Sequence, residues 1–478
     1  MPALCNSPAS GGLTVATPKS PTQEVPSKPR SFLAYRVLCR LLRFATRVFF
    51  RNIEVVGRIT LPNPENSAVI FCGNHPNSLL DPVLITAWSG RIVHFAAKAP
   101  LFSVPILGTL LRVMGAVAIR RRQDHGGGKQ SNDDAFHELE NVLLEGRAMG
   151  IFPEGISHDE SQLVPLKTGA ARIALATRAR NPDLPIYIVP VGLVYFTRHR
   201  FRSSVLVQFG APILIPAAPA EPTSSTDNED DEDAVRAITK TLNERLRSLT
   251  VNAETWEHVW VLDGVRRLYQ PEGIDLNERA RLARLFNETY PKVADQPDVI
   301  KLYDSVRGYL LRLSADSLND ALIAKGLTPL QIALHVAAHL ALLFVSLPLF
   351  LIGAPLFLPI GLTLKVAGVF VSPRSDTVAT TKFVLGFLGI GGLYIGLSVW
   401  AFLTHGTWLG LLVALVIPAS GGAVIHVIAR MHALRNLATS TYRIFTLRRE
   451  IAELRAERKQ LVLRVAVLVD KYRGSVLN

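Results

Sequence analysis

The sequence predicts an α/β domain, a mixed sheet with flanking helices, joined to a helical appendage and to C-terminal transmembrane helices. Three observations lead there. Between about residues 52 and 216 short β-branched runs alternate with helical patterns, 234–326 reads as polar helix, and the stretches 331–364 and 383–429 contain no Asp, Glu, Lys or Arg. The 478 residues leave room for about three folded units at roughly 150 each, so a single small binding module is excluded. With 49% hydrophobic and 19% charged residues and a mean hydropathy of +0.25, the chain is too apolar for an ordinary soluble enzyme. Its net charge of +13 calls for an anionic partner, and the hydrophobicity points to membrane lipids and not to nucleic acid. Cys5, Cys39 and Cys72 have neither metal-ligand nor redox spacing, which excludes a disulfide framework or a zinc ribbon and fits a reducing compartment.

In chain order, residues 1–30 hold six prolines and almost no bulky apolar side chain, so a disordered tail is expected. The segment lacks the charged and apolar regions of a secretory signal, and the chain is expected to start in the cytosol. In 31–51, Arg36, Arg40, Arg43, Arg47 and Arg51 recur at steps of three or four. On a helix they fall within an arc of about 80°, with Leu38, Leu41, Leu42, Val48 and Phe49 away from it. This reads as an amphipathic basic interfacial helix with guanidinium groups on lipid headgroups. Packing on its own domain with a solvated arginine face is the alternative, and both can hold together.

The α/β domain occupies 52–216, with strands expected at IEVV, AVIFCG, VHFAA, AVAIR, AMGIF, IYIVPVGLVYF and VLVQFG. In 217–233 six of the last seven residues are acidic, so self-repulsion is expected to keep an acidic linker solvated. The helical appendage 234–326 shows no chemistry. Pro348, Pro355 and Pro359 then interrupt the first uncharged block, so 331–371 is read as a membrane hairpin, either two short spans or re-entrant. The second block has 47 residues, which as one helix would be about 70 Å long against a hydrocarbon core of about 30 Å. It is expected to fold back near 405–408, making 383–429 two transmembrane helices. Lys365, Arg374 and Lys382 surround the loop between the blocks, and 430–473 carries eleven Lys and Arg against four acids, so both segments are placed in the cytoplasm. The last part, 430–478, is a basic cytoplasmic helix lying against the membrane or pairing with a partner. An integral membrane protein with an even number of spans follows, its α/β domain on the cytoplasmic face of a bacterial inner membrane or of the endoplasmic reticulum.

The chemistry concentrates in the α/β domain. NHPNSLLDP directly follows the apolar strand AVIFCG. A histidine at a strand end with a carboxylate in the first turn of the next helix suits general-base catalysis: His75 takes a proton from a hydroxyl, and Asp81 holds the ring in the right tautomer. FPEGISHD, again after a strand, brings Glu154 and the N–H groups of a Gly-containing turn to polar ligand atoms. MGAVAIRRR puts Arg120 at a strand end, its planar fork suited to phosphate. Pro190 in IYIVPVGL cannot donate to a ladder, so an edge or bulge beside the site is expected.

These four blocks in this order resemble the phospholipid/glycerol acyltransferase family (PlsC-like) over about 53–216. FPEGISHD…LVPLKTGAARIAL and IVPVGLVYFTRHRFRSSVLVQFGAPILIP are similar in particular to the yeast-type glycerol-3-phosphate/dihydroxyacetone-phosphate branch. The resemblance implies an α/β acyltransferase domain with His75 and Asp81 catalytic. It also implies that Arg120, Phe152, Pro153, Glu154 and Gly155 bind the glycerol phosphate, that Pro190 shapes the acyl site, and that Lys98 and Lys167 match basic positions of the family. Five residues separate His75 from Asp81 where most members have four, as in the yeast-type branch. Arg120, Arg121 and Arg122 stand where many members have a single arginine, and Pro100 where the family commonly has Glu.

The implied reaction moves a fatty acyl group from an acyl-CoA or acyl carrier protein thioester to glycerol-3-phosphate or dihydroxyacetone phosphate in phospholipid biosynthesis, with no cofactor and no metal. GxSxG is absent, so nothing suggests a serine nucleophile. Lysophosphatidate is the alternative acceptor. A metal hydrolase using His75, Asp81, Glu154 and His158 is a different class, as is a di-iron enzyme on His335 and His339, although no His-His pair occurs anywhere. A catalytically inactive membrane-shaping scaffold is the non-enzymatic reading, and intact His75, Asp81 and Glu154 argue against it.

Overall fold

The computed structural model describes residues 32–63, 65–105, 107–119, 133–216, 227–270, 273–316, 318, 320–325, 329–372 and 374–476. The tail 1–30 and Arg120 to Arg122 lie outside them. The strands are β1 (Asn52–Val56), β2 (Ala68–Gly73), β3 (Val93–Lys98), β4 (Val117–Ile119), β5 (Ala148–Ile151), β6 (Ile186–Tyr195), β7 (Ser204–Phe209) and β8 (Ile213–Leu214). The helices are α1 (Phe32–Phe49), α2 (Leu80–Ser89), α3 (Leu107–Val113), α4 (Asp133–Leu144), α5 (Gly169–Arg180), α6 (Asp227–Leu249), α7 (Trp256–Tyr269), α8 (Leu276–Val293), α9 (Pro297–Ala315), α10 (Asp320–Lys325), α11 (Pro329–Phe370), α12 (Val378–His405), α13 (Thr407–Thr446) and α14 (Arg448–Val476).

The sheet runs β1-β7-β6-β2-β5-β3-β4, with β8 beside β6. Strands β6, β2, β5, β3 and β4 are parallel, β7 is antiparallel to β6, and β1 is parallel to β7. Alternate residues of β2 face opposite sides: Ile70 and Cys72 join Leu139, Leu143, Ile173, Leu242 and Leu246 of α4, α5 and α6, while Val69 and Phe71 join Leu80, Leu84 and Ile85 of α2. Because the central strands are parallel, their C-terminal ends share one edge of the sheet, where binding sites of such folds lie.

Several sequence expectations change here. The acidic run of 217–233 is not linker throughout: from Asp227 it forms the start of α6. Val235, Ile238, Leu242 and Leu246 then bury α6 in the α/β core, so the helical unit proper begins after it. Helix α1 packs on its own domain, the alternative expected of it. Tyr35, Leu38, Leu42 and Phe49 are buried, while Leu33, Val37, Leu41 and Phe44 face outward. Two of its arginines turn to the protein and not to headgroups: Arg43 donates to the Ala87 carbonyl at 2.7 and 2.9 Å, and the Arg43 and Arg47 guanidiniums lie over the Trp88 ring.

The C-terminal helix α14 is covered by its own chain. Ile451, Leu454, Leu461 and Val465 recur on one helical face and pack with Val261, Val306, Tyr309 and Leu310 of α7 and α9. Arg458 from the same face reaches Asp320 of α10 at 2.9 Å. This helical unit joins the α/β domain where the Glu54 carboxylate accepts the Leu276 and Asn277 N–H groups at the start of α8.

The hairpin expected over 331–371 is absent, since α11 is one helix of 42 residues through Pro348, Pro355 and Pro359. Each proline removes one hydrogen bond, but an apolar segment has no water to satisfy a broken turn, so helix is retained. Close packing helps: a Cβ on Gly353 would come within 2.6 Å of the Ser420 carbonyl oxygen of α13. The chain does turn at Gly406 (φ 83°), between α12 and α13. Among the described residues three segments, Leu330–Phe370, Ser375–His405 and Thr407–Arg443, are long and apolar enough to cross a membrane.

Candidate active site

Strand β2 delivers His75 to the sheet edge, and α2 brings Asp81 back to it. His75 Nδ1 lies 2.8 Å from Asp81 Oδ2, a carboxylate acceptor that makes Nδ1 the donor and leaves Nε2 as the basic nitrogen. The residues between them fold into a turn in which Ser78 adopts a left-handed conformation (φ 49°), and this lets the five-residue spacing close. Asp81 has no exposed surface, and its oxygens accept two further bonds, from the Asn77 N–H at 2.8 Å and the Tyr195 hydroxyl at 2.6 Å. Three donors satisfy a buried carboxylate that would otherwise be costly. Burial first, and the Asp81 charge second, push the Tyr195 hydroxyl well above its ordinary range, so it stays a neutral donor.

The FPEGISHD turn clamps the histidine. Glu154, expected to hold polar ligand atoms, commits its carboxylate to the protein: it is 3% exposed and accepts the His75 N–H at 2.7 Å and the Val164 N–H at 3.3 Å, while pairing with the His158 ring. The His158 N–H donates to the His75 carbonyl at 3.2 Å, so both backbone groups of His75 are held. Phe152 stacks on the imidazole with ring centroids 4.0 Å apart, and it fits there because Gly73 has no Cβ, which would lie 3.0 Å from its ring. Pro153 is buried behind it. Gly155 has φ 75°, and the stem of Lys167 lies across it where a Cβ would clash.

Lys98 ends β3 and pairs with Ile119, the residue before Arg120. Pro190 corrects an expectation, because it is buried in β6, an interior strand, opposite Cys72 of β2. Its missing N–H is tolerated there: β6 pairs with β8 at 187–188 and with β7 from 191 onward, so Pro190 falls in the gap between the two partners.

Tyr195, Asn77 and Ser157 belong to the site, and sequence reading did not single them out. Tyr195 alone carried a signal, since it lies in the run IYIVPVGLVYF two residues beyond the fourth block. The metal-hydrolase alternative does not fit. Asp81 meets the Nδ1 edge of His75 and Glu154 its backbone, and among the described residues no group of three His, Cys, Asp or Glu could hold a metal ion. Nor do His335 and His339 form such a group: they contact the Gln331 carbonyl and Arg430.

The parallel ends of this mixed sheet present an imidazole backed by a buried carboxylate. Residues 50–194 match the acyltransferase family, and residues 261–476 match the glycerol-3-phosphate acyltransferase 2 C-terminal domain, which takes in most of the helical unit and all three apolar helices. The chain thus carries a segment similar to the acyltransferase family, followed by a segment similar to that C-terminal domain. It is 30% identical to glycerol-3-phosphate O-acyltransferase 1 of Saccharomyces cerevisiae and 29% identical to glycerol-3-phosphate O-acyltransferase 2 of the same yeast. Each alignment covers 57% of this chain, which spans only 38% of the length of either relative. A 1-acyl-sn-glycerol-3-phosphate acyltransferase of Borreliella burgdorferi is 29% identical over 34% of this chain and 59% of its own.

Proposed function

We propose that the protein transfers a fatty acyl group from an acyl thioester to the hydroxyl of glycerol-3-phosphate or dihydroxyacetone phosphate. The observation that carries this reading is the His75–Asp81 pair at 2.8 Å within an acyltransferase domain. A glycerol hydroxyl hardly ionises near neutral pH, so His75 Nε2 takes its proton as the oxygen attacks the thioester carbon. The C–S bond then breaks, and the thiol leaves with a proton from the imidazolium. A positioned imidazole contributes about 10² to 10⁴ in rate. An acyl-transfer assay on the detergent-purified protein with glycerol-3-phosphate, dihydroxyacetone phosphate and lysophosphatidate as acceptors tests it. Transfer to none of them would overturn the reading. The similarity to a 1-acyl-sn-glycerol-3-phosphate acyltransferase favours lysophosphatidate as second candidate, and transfer to it alone would change the acceptor while sparing the reaction.

Lys167 over Gly155, and Lys98 paired with Ile119, the residue preceding Arg120, support a phosphate site near the catalytic pair. Arg120→Met is expected to raise the KM for the phosphorylated acceptor about tenfold and to leave the acyl-donor KM nearly unchanged. Equal losses for both substrates would make Arg120 structural.

The acyl donor and product favour a membrane setting, supported by the outward Leu33, Val37, Leu41 and Phe44 of α1 beside Arg36 and Arg40. The turn between α11 and α12 lies against the α/β domain, and α13 leads into α14 on the helical unit, which supports α12 and α13 crossing as a pair that returns to its starting side, with both ends of α11 on that same side. A cysteine at Ser375 is expected to label from the cytoplasmic side and one at Thr407 from the other. Thr380, in the same turn as Ser375, is buried and would not report. Labelling of both from one side would exclude this topology.

A further inference from the structure

The turn that returns Asp81 to His75 carries strain, and two bonds from outside it hold it in place. Ser78, a residue with a Cβ, sits at φ 49°, and such a conformation persists where its surroundings over-determine it. One external bond runs from the Ser78 N–H to Ser157 Oγ at 3.0 Å, within the α/β domain. The other comes from a residue 303 positions away: Thr380 Oγ1, in the first turn of α12, donates to the Asn77 carbonyl at 3.0 Å. That carbonyl also accepts the Leu80 N–H at 3.1 Å, and the N–H of the same Asn77 donates to Asp81 Oδ2 at 2.8 Å. Asn77 thus links Thr380 to the catalytic pair through its backbone.

A neighbouring residue acts on the second loop of the site. Arg374 donates to the Ser157 carbonyl while its Nε and Nη2 each hold the Asp376 carboxylate at 3.0 Å. Ser157 is the residue whose hydroxyl receives the Ser78 N–H. Beside these bonds, Ala379 and Phe383 enter the α/β core, with Phe383 5.6 Å from the ring of Phe49. None of these C-terminal residues lies in the segment 50–194 that carries the acyltransferase match.

We infer that Thr380 and Arg374 are positioning residues of the acyltransferase site, so that His75 and Asp81 are aligned only when the turn leading into α12 is docked on the α/β domain. The inference rests on the acyltransferase reading for its kinetic consequence but not for its structural one. The requirement is chemical, because the Asn77 carbonyl is buried with Thr380 and loses a donor if only bulk is kept.

The test compares Thr380→Val with Thr380→Ser in the full-length, detergent-purified chain. Thr380→Val is expected to lower kcat about tenfold with both KM values unchanged, and Thr380→Ser to recover most of it. Hydrogen exchange of the amides of Asn77 and Ser78 is expected to quicken about tenfold in Thr380→Val and to stay near wild type in Thr380→Ser. Arg374→Met, at an exposed position, is expected to show the same pattern more weakly if Thr380→Val does not fold. Wild-type kcat in Thr380→Val, or equal loss in the Val and Ser variants, would overturn the inference. Unchanged exchange would overturn it whatever the turnover. A wild-type protein that transfers no acyl group would sink the proposed reaction, and the exchange result would still decide the role of Thr380.

Discussion

His75→Ala is expected to lower kcat by at least about 10² while leaving the fold intact. The fold should survive because the backbone of His75 is held through its own N–H and carbonyl, by Glu154 and His158, and neither bond needs the imidazole. The reaction should not, because no other described side chain stands where Nε2 does with a carboxylate behind it. Asp81→Asn is expected to be milder: the base remains, but the single amide oxygen can serve either Tyr195 or the position shared by the Asn77 N–H and the ring Nδ1, so the ring is held less firmly. Rates measured beside thermal melts check both variants. Near-normal turnover in a well-folded His75→Ala protein would refute the base assignment.

Glu154→Ala is expected to damage stability and activity together. Removing the carboxylate strands two backbone donors, those of His75 and Val164, and leaves the His158 ring without its partner. Buried donors left unpaired cost about 1 to 3 kcal/mol each, so a loss of about 3 kcal/mol is expected, with kcat falling at least about 10² because the histidine backbone is no longer fixed. Glu154→Gln should retain more of both, since one oxygen can still accept from His75. A substrate-binding role alone would give a different result: a raised KM in a protein of wild-type stability.

Much of this was legible in the sequence because it depends on short-range pattern. The seven runs read as strands are strands, since short β-branched apolar runs suit a sheet buried on both faces. The His75–Asp81 pair, Glu154 and the turn near residue 406 could be located because motif spacing and span length are properties of adjacent residues. What covers an apolar face is another matter. The sequence reads the stretches of α6 and α14 as polar and basic helix, and nothing in their spacing says that one belongs to the α/β core and the other to α7 and α9. The continuity of α11 through three prolines depends on the absence of water around it and on its contacts with α13, neither of which is written in the run itself. The same holds at the site. Tyr195 on Asp81 and Thr380 on Asn77 join residues 114 and 303 positions apart. Each is a single hydrogen bond whose partner is chosen by how the sheet, the helical unit and the apolar helices pack. The sequence determined which side chains carry the chemistry, and the tertiary structure decided what holds them still, because local periodicity encodes which face is buried but not which surface buries it.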